Sequence, residues 1–192
     1  MDAEGFVSIY IPKRVVDEVL RRGLDVESFV DSILEKLKLD PQDEVAIYVE
    51  LAERFLSEAR RYVDRGDPVQ ASEKLYKVAE ECVKALAIKF KVPEAEEARR
   101  EGRWTKLLSR AAKRLSAMLS EPIISYGWSV GYDLHVWGFH EAALDLESIK
   151  VALPTIEQLL KKVKEVIQGP TTCAGSPPSA SSSAPTFGSL TS

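Results

Sequence analysis

The chain has 192 residues, of which 45% are hydrophobic and 29% are charged, and its formal net charge at pH 7 is -4. This composition is typical of a folded water-soluble protein, and the negative charge disfavours a general nucleic-acid coat protein, which needs positive charge to hold phosphates. No apolar run approaches the length of a membrane span and the acidic start lacks the pattern of a signal peptide, so we expect a cytoplasmic protein. The absence of Asn and the abundance of Glu, Lys and Arg favour a thermophilic source.

Residues 1–40 are predicted to form a small arm of one strand and two helices that serves oligomerisation or docking. Residues 7–11 alternate apolar and polar side chains as a half-buried strand does, and apolar spacing predicts helices from Pro12 to about Leu20 and over residues 26–38. The arm resembles a ribbon-helix-helix unit. Acidic residues outnumber basic ones within it, which disfavours binding to DNA.

Residues 41–168 are predicted to form an all-α domain, an antiparallel bundle of four main helices with short links. Apolar spacing predicts helices over residues 41–65, 68–91, 104–119 and 147–168, with a short helix after Pro93 and a kink at Pro154. Asp67, Pro68 and Gln70 mark the start of the second helix because they supply a cap, a first-turn proline and a capping-box partner. We expect residues 120–128 to form a loop and residues 131–146 to be the fourth helix or its first half.

Residues 169–192 carry no charge and are rich in Ser, Pro, Thr and Ala. Such a segment buries too little apolar surface to offset the entropy lost on ordering, so we expect a disordered tail. Cys82 and Cys173 are the two cysteines of the chain. They are too isolated to indicate a disulfide framework or a CxxC metal site.

Both histidines of the chain, His135 and His140, lie in the segment GYDLHVWGFHEAALDL at residues 131–146. Five residues of α-helix separate two side chains by roughly 140°, and the zinc-binding HExxH pattern is absent, so we expect no metal. Gly131, His135, Gly138, Ala142 and Asp145 would share one stripe of small or polar residues, which suggests close approach by a neighbouring helix, a second subunit or a ligand. His140 would lie nearer Asp133. Either histidine could instead be a core, interface or surface residue without a ligand.

Two further groups of charged residues are candidates. Arg103, Lys106 and Arg110 follow helical spacing on one side of a helix and would attract phosphate, although a solvated outer face explains them equally simply. The polar side of the second long helix is expected to be mostly solvated, with Glu80 near enough to the apolar stripe to reach inward between helices; its charged members are Glu73, Lys77, Glu80, Glu81 and Lys84.

Three blocks resemble the first group of the archaeal PaREP family, within the HEPN-like superfamily of helical bundles. They are LAERFLSEARRYVDRGDPVQASEKLYKVAEECVKALA, EGRWTKLLSRAAKRL and GYDLHVWGFHEAALDLESIKVALPTIEQLL, and together they span about residues 51–160. The resemblance implies a four-helix bundle that is usually dimeric and is related to toxin ribonucleases and to substrate-binding partners of small nucleotidyltransferases.

The superfamily's ribonucleases carry an Arg four to six residues before a His, and here that His would be His140. This window holds Leu134 and His135 but no Arg, so we expect a domain that has kept a pocket and lost cleavage. We expect a homodimeric, non-catalytic module that binds a nucleotide or RNA phosphate without a cofactor, with a nucleotidyltransferase-type protein as a further partner. The candidate ligand-binding residues are His135, His140, Asp133, Gly138, Glu80, Arg103, Lys106 and Arg110. The alternatives are a metal-independent ribonuclease that uses His140 with His135, and a structural interaction protein without a small ligand.

Overall fold

The structure is a computed structural model that describes residues 13–21, 37, 39–101, 103, 104 and 106–169. Every regular element within these residues is a helix, which confirms the expected all-helical fold. The predicted strand at residues 7–11, nearly all of the second arm helix and the tail after residue 169 lie outside the described residues. None of the described helices combines the length and the low charge that a membrane span requires.

From Pro41 to Gln168 the helices follow one another with short links. They are α1 (Lys13–Arg21), α2 (Pro41–Asp64), α3 (Pro68–Lys89), α4 (Pro93–Glu101), α5 (Leu108–Leu119), α6 (Pro122–Asp133), a π-helix (Leu134–His140) and α7 (Leu146–Gln168). The starts of α2, α3 and α7 are each fixed by an aspartate whose carboxylate accepts a backbone N–H of the first turn, and these caps are Asp40, Asp67 and Asp145. The predicted starts at Pro41 and Pro68 are therefore confirmed.

Helix α3 lies at the centre of the bundle and contacts α2, α5, α6, α7 and the π-helix. Its apolar residues Leu75, Val78, Ala79 and Leu86 are all inaccessible to solvent. A helix that is buried on every side needs neighbours on every side, and the apolar stripes of the surrounding helices supply them. The core of the protein is thus built around α3.

Residues 120–128 are mostly helical, and the predicted loop is wrong. The link after α5 is limited to Ser120, which adopts a left-handed conformation with φ of 55°, and Glu121. Pro122 then occupies the first turn of α6, where its missing N–H costs nothing. Gly127 lies inside α6 and does not mark a turn. A Cβ at this position would lie 3.0 Å from the side chain of Leu159 in α7, so the glycine allows the two helices to approach.

The third predicted helix begins later than expected. Helix α5 starts at Leu108, and the amides of Leu107 and Leu108 both bond to the carbonyl oxygen of Trp104, which forms a turn in front of the helix. The buried side chain of Trp104 continues the apolar spacing through this turn, so periodicity alone extended the helix too far. Helix α7, by contrast, runs without a break through Pro154 as predicted.

Candidate functional site

The two histidines lie side by side at the end of α6, contrary to the separation expected on an α-helix. Residues 134–140 form a π-helix, in which the backbone bond runs from residue i to residue i+5, and the amide of Glu141 bonds accordingly to the carbonyl of Val136 at 3.0 Å. Side chains five residues apart therefore stand on the same face. The Nε2 atoms of His135 and His140 are 3.1 Å apart.

A carboxylate from α3 holds the inner histidine. Glu73 Oε2 lies 2.9 Å from Nδ1 of His135, so His135 carries a hydrogen on Nδ1 that it donates to Glu73. In neutral His135 the Nε2 atom is then an acceptor, and Nε2–H of His140 donates to it. The side chains of His135 and Glu73 are 24% and 17% exposed, whereas His140 lies at the surface. The pair is therefore open to solvent on the side of His140.

Aromatic rings surround the inner histidine. The ring of Tyr76 in α3 stacks on His135 with centroids 4.1 Å apart, and the ring of Phe139 lies nearly parallel to His135 at 6.0 Å. Burial, together with the carboxylates of Glu80 and Glu73, raises the pKa of Tyr76 above its ordinary range. The hydroxyl stays protonated and donates to Glu80. Tyr76 thus connects the histidine pair to the interior of α3.

Helix α3 carries four buried charges that the sequence predicted to be mostly solvated. Lys77, Glu80, Glu81 and Lys84 are between 0% and 8% exposed, so only the inward position of Glu80 was predicted correctly. The Glu80 carboxylate lies 3.1 Å from Nζ of both lysines, and Lys84 lies 3.3 Å from Glu81. Burial opposes ionisation of Glu80, but the charges of Lys84 and Lys77 outweigh it and lower the pKa of Glu80 to about 2. Glu80 is therefore an ionised structural group.

The remaining candidates near the histidines play different parts. Gly138 is buried, and a Cβ there would lie 2.6 Å from the Cβ of Ser72 in α3. Gly131 meets Ala79 of α3 in the same way. A neighbouring helix of the same chain thus accounts for both glycines of the small-residue stripe, whereas Ala142 and Asp145 are exposed. Asp133 is exposed on α6.

The basic candidates lie on and before α5, and one of them, Arg110, forms ion pairs with carboxylates of α4. Arg103 and Lys106 are exposed, while Arg110 donates to Glu94 of α4 at 3.0 Å and forms an ion pair with Glu97. Arg114 donates to the same fully buried Glu94 carboxylate at 2.9 Å. Two of the basic side chains on α5 therefore fasten α4 to α5.

Substitution Glu94→Gln is expected to lower the free energy of unfolding by about 1 kcal/mol at pH 7, because Arg110 and Arg114 then donate to a neutral amide oxygen and lose the attraction of the carboxylate charge. Burial raises the pKa of Glu94, but the bonds from Arg114 and Arg110 outweigh it and lower the pKa. The carboxylate thus stabilises the fold above its ordinary pKa and loses this effect as the pH falls. Urea unfolding at pH 7 and pH 3 measures the loss, which should shrink in acid. Glu97→Gln, at a partly exposed position, is the matched control and should cost less.

Sequence reasoning missed the partners of the histidines. Glu73 was assigned to a solvated face and Tyr76 was not singled out, because both contacts are long-range and depend on how α3 meets the π-helix. No Lys or Arg occurs from residue 115 to residue 149, so the segment around the pair carries no permanent positive charge.

A separate surface groove between α2 and α7, lined among others by Leu56, Arg60 and Lys164, contains none of the candidate residues.

The fold and site define an all-helical protein with a paired-histidine site on a π-helix that packs against its central helix. The family model of the archaeal PaREP1/PaREP8 family matches residues 47–160, and the chain belongs to this family. A protein of Sulfolobus solfataricus with a known crystal structure is similar, with 32% sequence identity and a TM-score of 0.56 over 62% of this chain and 97% of that chain. No curated protein matches the sequence.

Proposed function

We propose that this chain is a dimeric HEPN-like module, an antiparallel four-helix bundle that binds a nucleotide or RNA phosphate at His135 and His140 without cleaving it. The observation that carries the proposal is the 3.1 Å approach of the two Nε2 atoms beside open solvent. Two imidazole edges that meet at the surface offer two hydrogen-bond donors to one anion once both rings are protonated. Protonation gives each imidazole a second N–H donor and a positive charge.

The hydrogen-bond pattern explains how an anion would enter. In the neutral pair a single hydrogen lies between the two Nε2 atoms, and each ring satisfies the other. When both rings are protonated, both Nε2 atoms are donors and neither can accept. A phosphate oxygen placed between them would accept from both in charge-assisted bonds, and Glu73 would balance the charge on the inner ring.

Cleavage is disfavoured by the missing guanidinium. An Arg binds phosphate with a permanent planar charge, whereas an imidazole is charged only when protonated. The chain has His135 in the Arg window of the ribonuclease motif and no Lys or Arg from residue 115 to residue 149. The pair is therefore better suited to holding a phosphate than to stabilising the charge that develops during cleavage.

One arrangement favours a ribonuclease as the second candidate. Glu73, His135 and His140 form a carboxylate–imidazole–imidazole series that ends at an exposed ring. Such a series can move a proton, with His140 as general acid or base and His135 as its helper. Incubation of RNA with the protein in EDTA decides between the two functions. Cleavage that disappears in His140→Ala would establish the enzyme.

We further propose that the two subunits of the dimer meet at the exposed aromatic side chains of α6 and the π-helix. Tyr126, Tyr132 and Trp137 are 61%, 52% and 53% exposed within twelve residues of chain, and exposed large apolar side chains are typical of an interface. A nucleotidyltransferase-type partner would use the same kind of surface. A structural interaction protein would keep this interface and bind no small ligand.

Thermal unfolding with ATP, GTP and short single-stranded RNA at pH 6 tests the binding function. We expect stabilisation that rises with ligand concentration, by about 2.7 kcal/mol at one hundred times Kd. The effect should be lost in His135→Ala and His140→Ala. Arg103→Ala and Lys106→Ala test the basic candidates separately because they remove exposed cations outside the pair. Absence of stabilisation at millimolar ligand, or loss only in these two variants, would refute binding at the histidines.

A further inference from the structure

The geometry of the histidine pair points to a metal site. We infer that His135 and His140 together bind one divalent transition-metal ion, of the zinc or nickel class, through their two Nε2 atoms. Imidazole nitrogen is a preferred ligand of these ions. The described residues contain no group of three or more His, Cys, Asp or Glu side chains arranged for a metal. The ion would therefore keep open positions for water or for an oxygen of a bound phosphate.

The spacing of the two nitrogens fits one ion between them. Zinc–imidazole bonds are about 2.0–2.1 Å long, and adjacent ligands lie roughly 90–110° apart at the metal, so two bound nitrogens are about 2.9–3.4 Å apart. The observed separation is 3.1 Å. The rings meet at an angle, with centroids 4.4 Å apart and planes inclined by 78°, so that they do not face each other end to end. His140 is exposed, and its hydrogen would move from Nε2 to Nδ1 as its ring turns, so that both Nε2 lone pairs face the ion.

The second nitrogen of the inner ring has the partner that metal-binding histidines usually have. Glu73 accepts the hydrogen of His135 Nδ1 at 2.9 Å, which leaves Nε2 of His135 as the lone-pair nitrogen. Stacking on Tyr76 fixes the plane of the same ring. His135 is thus held in the tautomer and orientation that a metal ion needs, while the exposed His140 leaves a path for entry from solvent.

The charge around the pair also favours a cation. Asp133 precedes the pair, Glu141 follows it and Glu73 lies beside it, whereas Lys and Arg are absent from residue 115 to residue 149. A bound ion would supply the permanent positive charge that the segment lacks. The site shares its side chains with the proposed phosphate site, but it does not depend on that function because the ion binds to the protein alone.

Calorimetric titration of the full chain without a histidine tag tests the site, with Zn²⁺ and Ni²⁺ alone as the probes in phosphate-free buffer. We expect one ion per chain. His135→Ala and His140→Ala should weaken binding by more than about 100-fold, and Glu73→Gln by about 10- to 100-fold, which is the usual effect of an outer carboxylate. Cys173→Ser, which removes a thiol far from the pair in sequence, should change nothing.

A measurement on the unaltered protein keeps the test independent of variant folding. The chain has only two histidines, so its NMR spectrum contains two imidazole C2–H signals, and paramagnetic Ni²⁺ should broaden both at one equivalent. Signals that stay sharp, titration without heat, or equal affinity in the histidine variants would overturn the metal site. Nucleotide binding is measured separately in EDTA, so failure of the metal site and failure of the proposed function remain distinct.

Discussion

Replacing Lys84 with Met is expected to lower the free energy of unfolding by about 3–5 kcal/mol at pH 7, the usual effect of removing one partner from a buried ion pair. The Lys84 side chain is fully buried, with Nζ 3.1 Å from Glu80 and 3.3 Å from Glu81. Methionine keeps most of the length and volume of the side chain. Without the charge of Lys84, the cluster on α3 contains two buried carboxylates, Glu80 and Glu81, and one lysine, Lys77. Urea unfolding followed by circular dichroism measures the difference.

The same substitution has a predictable pH dependence. The pKa of Glu80 in the folded protein is about 2, below its ordinary value, because Lys84 and Lys77 outweigh the effect of burial. A depressed carboxyl pKa stabilises the fold above the ordinary pKa, and this stabilisation is lost as the pH falls toward the folded-state value. Since Lys84 is a main cause of the shift, the variant lacks most of this contribution. The stabilities of the two proteins should therefore converge between about pH 4.5 and pH 2.

A second variant separates lost charge from lost packing. In Glu81→Gln/Lys84→Met one positive and one negative charge disappear together, and Lys77 with Glu80 remains as a balanced pair. Part of the stability should return, because replacing a buried pair costs less than breaking it. The electrostatic account would be wrong if Lys84→Met were as stable as the unaltered protein. It would also be wrong if the double variant were less stable than Lys84→Met by as much as Glu81→Gln alone destabilises the unaltered protein.

Most helix starts could be predicted because their signals are local. Asp67 with Pro68 fixes the start of α3 through a bond to an amide three residues away, and Asp40 with Pro41 fixes the start of α2 through a bond to the amide of Gln42. The apolar spacing of α7 likewise indicates one continuous helix through Pro154. Such signals involve neighbouring residues and do not depend on how the helices pack. The all-helical fold therefore followed from the sequence.

The histidine site depended on features that no local rule contains. An α-helical period places His135 and His140 on different faces, whereas the π-helix at residues 134–140 brings them together. The buried position of Lys84 was equally hidden, because a lysine at helical spacing with glutamates is typical of a solvated face. Both outcomes depend on the packing of α3 against its neighbours. The sequence singled out the two histidines, but the mutual geometry predicted for them was wrong.

Substitution Gly131→Ala tests whether the small residues beside the histidines serve helix packing. An added Cβ would lie 2.6 Å from Cβ of Ala79 in α3, a distance that forces the two helices apart. Overpacking of this kind costs up to about 3 kcal/mol, while the better helix propensity of Ala returns up to about 1 kcal/mol, so we expect a net loss of about 2 kcal/mol in urea unfolding.

The compensating variant makes this argument specific. Ala79→Gly removes the atom that Gly131→Ala would strike, so the double variant should be more stable than the sum of the two single losses predicts. Gly66→Ala is the matched control, since no heavy atom lies within 4 Å of the added Cβ and its cost arises from the positive φ of 73° alone. Ala79→Gly should not rescue that control. Additive losses for Gly131 and Ala79 would mean that something other than α3 requires the glycine. Rescue would show that the glycine serves the contact between α3 and α6. Gly131 would then need no ligand to explain it.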